Sequence, residues 1–141
     1  LVGGGAEKEN LIQYASGKLL KNVRFENFVS REDYFDLLKI CSFGLVCLSP
    51  KNKTPVIPGK ILGYMAAGLP VAAFIQKVSD GHAVIEDSGC GMSADSADEK
   101  SCIEVINQLL DCPNISNMGL GRWSIFIVVS SWTLNFTGNW F

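Results

Sequence analysis

The stretch FGLVCLSPKNKTPVIPGKILGYMAAGLPVAAFI, residues 43–75, decides the fold. It opens on FGLVCL at 43–48 and closes on PVAAFI at 70–75, two runs without a charged residue. A strand with one wet face alternates apolar and polar residues; a continuous apolar run predicts a strand buried on both faces. Between them a Lys- and Pro-containing loop at 49–58 leads into a helix over 60–67. Gly68 is a natural residue to follow the helix C-terminus, and Pro70 prevents continuation. Strand, helix and strand in that order predict a parallel pair joined by a crossover helix.

The same alternation extends outward. On the N-terminal side, Leu1 and Val2 read as the end of a strand and Gly3, Gly4 and Gly5 as a turn. Leu11, Ile12, Tyr14, Ala15, Leu19 and Leu20 then form a helical stripe over 7–20. Val23, Phe25 and Phe28 suggest a short strand running into a loop, with Phe25 and Phe28 expected in the core. Ser30 caps a helix, with Asp33 three residues later, whose apolar face is Tyr34, Phe35, Leu37, Leu38 and Ile40. On the C-terminal side come a short helix over 82–87, a turn and edge strand over 89–92, and a helix capped by Ser96 with Glu99. Ile103, Ile106, Leu109 and Leu110 are expected to face its core. The fold class is therefore α/β, a Rossmann-like doubly wound parallel sheet, carried by residues 1–121. Residues 122–141 do not continue the alternation and are set apart as a divergent tail of uncertain structure.

Composition agrees with one globular domain. The chain has 141 residues, 48% of them hydrophobic and 18% charged. That length buries a core without disulfides or metals. A net charge of −2 gives no general pull toward nucleic acid or anionic lipid. Five cysteines, Cys41, Cys47, Cys90, Cys102 and Cys112, include no Cys-x-x-Cys pair, so no zinc or redox motif is expected. Cys41, Cys47 and Cys102 read as small buried hydrophobes in a reducing compartment. No signal peptide opens the sequence, no apolar run reaches the roughly 20 residues of a membrane span, and the sequons at Asn114 and Asn135 carry little weight without a secretory route.

In open α/β sheets ligands bind beyond the carboxyl ends of the strands. That edge comprises residues 3–5, 28–30, 49–58 and 76–82. The most suggestive part is Pro58-Gly59-Lys60, where a loop becomes a helix. The first N–H groups of a helix lack internal partners and the dipole favours anions there. Gly59 permits close backbone approach and Lys60 adds a full charge, a combination suited to a diphosphate, although a lysine at a helix start is more often simply solvated. Lys51 and Lys53 read by default as a charged loop. His82, the single histidine, reads first as solvated or helix-capping. The triple glycine lacks the spacing of a dinucleotide fingerprint.

PGKILGYMAAGLPV, residues 58–71, resembles the signature of glycosyltransferase family 4, the group 1 glycosyltransferases, close to P-S-K-x-x-E-Y-M-A-A-G-x-P-V. LVGGGAEKENL at 1–11, NVRFENFVSREDYFDLLKICSFGLVCL at 22–48 and IEDSGCGMSADSADEKSCIEVINQLL at 85–110 resemble further parts of that family in the same order. The resemblance covers about residues 1–120. It implies the C-terminal half of a GT-B fold, incomplete at its N-terminus, that binds a UDP- or GDP-sugar donor. It implies sugar transfer with retained configuration, in a cell-surface polysaccharide or glycolipid pathway, with no cofactor and no required metal. Phe28, Val29 and Ser30 would receive the base through backbone groups. Val56, Ile57, Pro58, Gly59 and Lys60 would lie along the sugar and diphosphate.

Several residues depart from that pattern. The family often carries two glutamates eight residues apart in this region, where this sequence has Pro55 and Gly63. The position of Gly63 would hold the ribose hydroxyls, and loss of a carboxylate there costs about 1.5–3 kcal/mol of binding. Ser42 stands for the usual aspartate and Asn27 for a usual glycine. The N-terminal acceptor domain is the expected partner, the catalytic residues are not assignable, and a fragment alone is expected to be inactive. The expected location is cytoplasmic, with a peripheral membrane contact through the absent half. The competing reading is a non-catalytic α/β remnant that has lost nucleotide binding. A phosphoacceptor domain is set aside, because 43–48 runs into Leu48-Ser49-Pro50 with no aspartate.

Overall fold

The computed structural model describes residues 1–5, 7–51, 54–112 and 127–129. Among them the chain runs α1 (Lys8–Gly17), α2 (Arg31–Lys39), β1 (Phe43–Cys47), α3 (Gly59–Ala66), β2 (Val71–Ile75), α4 (Gly81–Ser88), β3 (Gly91–Asp95), α5 (Glu99–Asp111) and β4 (Ile127–Val129). The four strands form one sheet in the order β3-β2-β1-β4, and every pair is parallel. Gly44 lies beside Val71, and Val71 beside Gly91.

Both faces of this sheet are covered, as the two apolar runs require. Val46, Val71, Ala73 and Ile75 point to one face and pack with Leu38 of α2, Ile61 and Tyr64 of α3, and Ile85 of α4. Phe43 and Ala72 point to the other and pack with Cys102, Val105 and Leu109 of α5. The expected Rossmann-like α/β arrangement is therefore the one formed.

Local chemistry sets the element ends. Ser30 caps α2: its Oγ accepts the Asp33 N–H at 3.0 Å and donates to the Asp33 carboxylate at 2.7 Å. Gly68 takes φ +67° after α3. It allows Gly68 N–H to reach Met65 O at 3.0 Å and Leu69 N–H to reach Tyr64 O at 2.9 Å, which closes the helix end. Gly44 leaves room for the fully buried Tyr64 ring, which lies flat against it.

Five expectations are corrected. Val23, Phe25 and Phe28 do not build a strand; the segment makes one parallel bridge, Val2 with Glu26. Phe28 lies beyond that bridge and is 83% exposed rather than in the core. Ser96 does not cap α5. Its N–H extends the strand ladder to Ile75 O, its hydroxyl is buried, and Asp98 caps instead by accepting the Ser101 N–H at 3.2 Å. Along α5, Cys102, Val105 and Leu109 face inward, while Ile103 and Leu110 are exposed. Ile40 is likewise exposed, at the end of α2.

The cysteines are free thiols, and Cys41 and Cys102 are buried. Burial pushes the Cys41 and Cys102 thiols up to about 11 and Cys47 to about 12. All three are poor nucleophiles at neutral pH. No helix among the described residues is long and apolar enough to cross a membrane. Lys53, both sequons and all of 122–141 except 127–129 lie outside the described residues.

Candidate donor site at the carboxyl edge of the sheet

Each parallel strand ends at the same edge, and the helix that follows it starts there. β1 runs through 48–58 into α3, and β2 through 76–80 into α4. α2 runs back to the start of β1, so its own N-terminus and the preceding Phe28, Val29 and Ser30 also lie at that edge. The structure thus places both groups of expected donor contacts, 28–30 and 56–60, along one edge.

Three buried or half-buried polar side chains, none of them among the expected site residues, hold this edge together. Gln76 follows β2 and donates from Nε2 to Ser49 O at 3.0 Å, which fixes the loop leaving β1. Ser79 donates from Oγ to Val56 O at 2.8 Å and accepts the Gly81 N–H at 3.2 Å. One hydroxyl therefore ties the approach to α3 to the start of α4. His82 is neither solvated nor a cap. Its Nε2 lies 3.1 Å from Gln76 O and its Nδ1 2.8 Å from Ser93 Oγ. A carbonyl only accepts, so the neutral ring carries its proton on Nε2 and accepts the Ser93 hydroxyl at Nδ1. The sequence signal for Gln76 and Ser79 is faint: small polar residues immediately after a fully apolar strand.

The start of α3 differs from those of α2 and α5, which have side-chain caps. Its N-cap is Pro58, which makes no side-chain cap. Among the described residues, a Cβ built on Gly59 meets nothing within 4 Å, and neither does one built on Gly63, one turn further along. Burial holds the Lys60 ammonium below its usual pKa. Val56 and Ile57 are partly exposed hydrophobics lining the approach. An uncapped helix start beside a partly desolvated cation has the chemistry to accept an anion.

At the 28–30 end, the Phe28 ring lies over Gly4, where a Cβ would come within 2.9 Å of Cε2. Lys8 Nζ donates to Gly3 O at 3.0 Å, Glu26 O at 3.1 Å and Asn27 Oδ1 at 2.9 Å, which joins the glycine turn to this segment. The Ser30 hydroxyl is committed to its cap, so that segment offers a ligand its backbone and the face of Phe28.

A hollow of about 380 Å³ between α1 and the segment at 23–25, lined by Ile12, Ala15, Leu19, Leu20, Val23 and Phe25, lies toward the C-terminus of α1 and hence at the opposite edge. Among the described residues no group of three or more His, Cys, Asp or Glu comes together as a metal site.

No curated protein and no solved structure matches the chain. The family model described as glycosyl transferases group 1 matches residues 1–112. That match spans most of the sequence and includes both the 28–30 segment and the start of α3, and the chain belongs to the group 1 glycosyltransferases.

Proposed function

We propose that this domain binds the nucleotide-sugar donor of a retaining glycosyltransferase that builds a cell-surface polysaccharide or glycolipid. The observation that carries the reading is the start of α3. It sits at the carboxyl edge of a parallel sheet, lacks a side-chain cap, and joins Gly59 to a partly desolvated Lys60. The diphosphate of a UDP- or GDP-sugar lies across Gly59 and Lys60, with the sugar beside Val56, Ile57 and Pro58. The base lies against Phe28, Val29 and Ser30. The ribose lies near Gly63, where the missing side chain makes binding weak. The acceptor is met by a facing domain across the cleft, and no metal or cofactor enters the scheme. The reading places the domain in the cytoplasm, with any membrane contact made through the facing domain.

Calorimetric titration of UDP and GDP tests this. Binding is expected in the millimolar range, about 4 kcal/mol. Lys60→Ala removes a charge-assisted contact and is expected to weaken it by about 1.5–3 kcal/mol, more than tenfold. Diphosphate binding is also expected to raise the Lys60 pKa, since an anion favours the charged ammonium. Unchanged affinity in the variant removes Lys60 from the site. Failure of every nucleotide to bind favours the alternative of a remnant that has lost its ligand.

A further inference from the structure

The end of α1 breaks a local rule beside a cavity. Leu19 takes φ +53°, the one non-glycine residue with a left-handed backbone among those described. Its N–H reaches Ser16 O at 3.0 Å and the Leu20 N–H reaches Ala15 O at 2.9 Å. Glycine normally serves this helix ending, as Gly68 does after α3. A leucine there is strained, and its side chain is 80% exposed. Neither feature stabilises the fold. Leu19 instead walls the hollow of about 380 Å³ at the end of α1, with Ile12, Leu20, Val23 and Phe25. That volume lies within the range of about 300–1,000 Å³ for small-molecule sites, which are likewise mostly apolar. The charge at the rim has one sign. Lys21 lines the hollow, is exposed, and makes no hydrogen bond or ion pair among the described residues. Lys18 lies at the C-cap over the Tyr14 ring, and Arg24 is paired with Glu26. Among the described residues no Asp or Glu lines the hollow.

We infer that this hollow binds a single anionic amphiphile, an alkyl chain with a carboxylate or phosphate head. The chain lies along Ile12, Leu19, Val23 and Phe25, and the head meets the Lys21 ammonium. Binding takes the exposed surface of Leu19 out of water and gives the head a charge-assisted hydrogen bond. A neutral chain leaves Lys21 unused, and a cationic one meets a like charge. The occupant is one molecule and not a bilayer, because the apolar wall is a hollow between α1 and residues 23–25 and not a flat face. The hollow lies at the edge opposite Gly59 and Lys60, so it stands whether or not that edge binds a nucleotide.

NMR titration of the full chain with decanoate, decanol and decyltrimethylammonium, each kept monomeric, tests the site. Decanoate is expected to shift the Leu19, Leu20 and Phe25 signals, to leave Gly59 unmoved, and to bind about tenfold or more tighter than the other two. Leu19→Gly separates binding from folding. It relieves the left-handed strain and is expected to raise the melting temperature by about 2–4 °C. It also strips the wall and is expected to weaken decanoate about tenfold or more. Lys21→Gln is expected to remove the preference for decanoate over decanol. Absence of binding, equal affinity for all three amphiphiles, or a preference that survives Lys21→Gln overturns the site. A Leu19→Gly protein that binds as well as the parent also overturns it, and so does one that melts lower, since the leucine then serves the fold. Binding to phosphatidylglycerol vesicles without binding of monomeric decanoate overturns it in favour of a membrane contact.

Discussion

Two glycines that look alike in sequence should respond to the same substitution with opposite signs. Gly44→Ala places a Cβ 2.6 Å from the Cγ and Cε2 of Tyr64. Ordinary carbon contacts lie at about 3.5–4 Å, so the ring must retreat by about 1 Å. It has little room, because Tyr64 is fully buried and packs in the same cluster as Ile61, Leu69 and Val71. Overpacking of this kind costs about 1–3 kcal/mol. In Gly63→Ala the new Cβ, in the interior of α3, meets no described residue within 4 Å. There alanine gains about 0.5–1 kcal/mol over glycine. With roughly 4 °C per kcal/mol for a domain of this size, thermal unfolding followed by circular dichroism should show Gly44→Ala melting about 4–12 °C lower and Gly63→Ala about 2–4 °C higher. Adding Tyr64→Leu should shrink the Gly44→Ala penalty, since the pair is in contact. A Gly44→Ala protein as stable as the parent, or a penalty unaffected by Tyr64→Leu, would refute the packing argument.

Other variants probe the candidate site and its frame. Gly63→Glu fits sterically and should tighten UDP and GDP binding by roughly 10-fold or more in a calorimetric titration, since a carboxylate there can accept the ribose hydroxyls; no gain would misplace the ribose. Ser79→Ala leaves Val56 O and the Gly81 N–H without their shared hydroxyl, and should cost about 1–3 kcal/mol while speeding amide exchange across 54–58. Asp98→Ala removes the α5 cap and should lower the melting temperature at pH 7. The Ser101 hydroxyl and N–H hold the Asp98 carboxyl below the usual carboxylate value. Its stabilisation is thus present above the unfolded value and lost as pH falls through the lowered folded value. The difference between parent and variant should accordingly vanish in strong acid, and a pH-independent difference would contradict the cap.

What could be read from the sequence was whatever depends on neighbours in the chain. Apolar runs at 43–48 and 70–75 announced strands covered on both faces, and Ser30 with Asp33 announced a cap. Gly68 before Pro70 announced a helix end. The misreadings share a cause. Ser96 has the spacing of a cap, but the sheet recruits its N–H for Ile75 O and the cap moves to Asp98. Phe28 has the composition of a core residue, but the bridge at Glu26 ends before reaching it. On the site, Gly59 and Lys60 were legible as a helix start, whereas Gln76 and Ser79 were not. Their partners, Ser49 and Val56, are more than twenty residues away in sequence, and no local pattern encodes such a contact.

The parallel order β3-β2-β1-β4 also sets a timetable for folding. β1 reaches β2, and β2 reaches β3, across one helix and its loops. β4 must find β1 across all of α3, β2, α4, β3 and α5. Closing that roughly threefold longer loop costs about 1 kcal/mol more, and three residue pairs repay it where four or five serve the other strands. During synthesis the three inner strands can therefore pair before residues 127–129 have left the ribosome. Until then the Leu45 side of β1 is an exposed, apolar sheet edge, and crowding of nascent chains at that stage, rather than instability of the finished domain, sets its risk of aggregation.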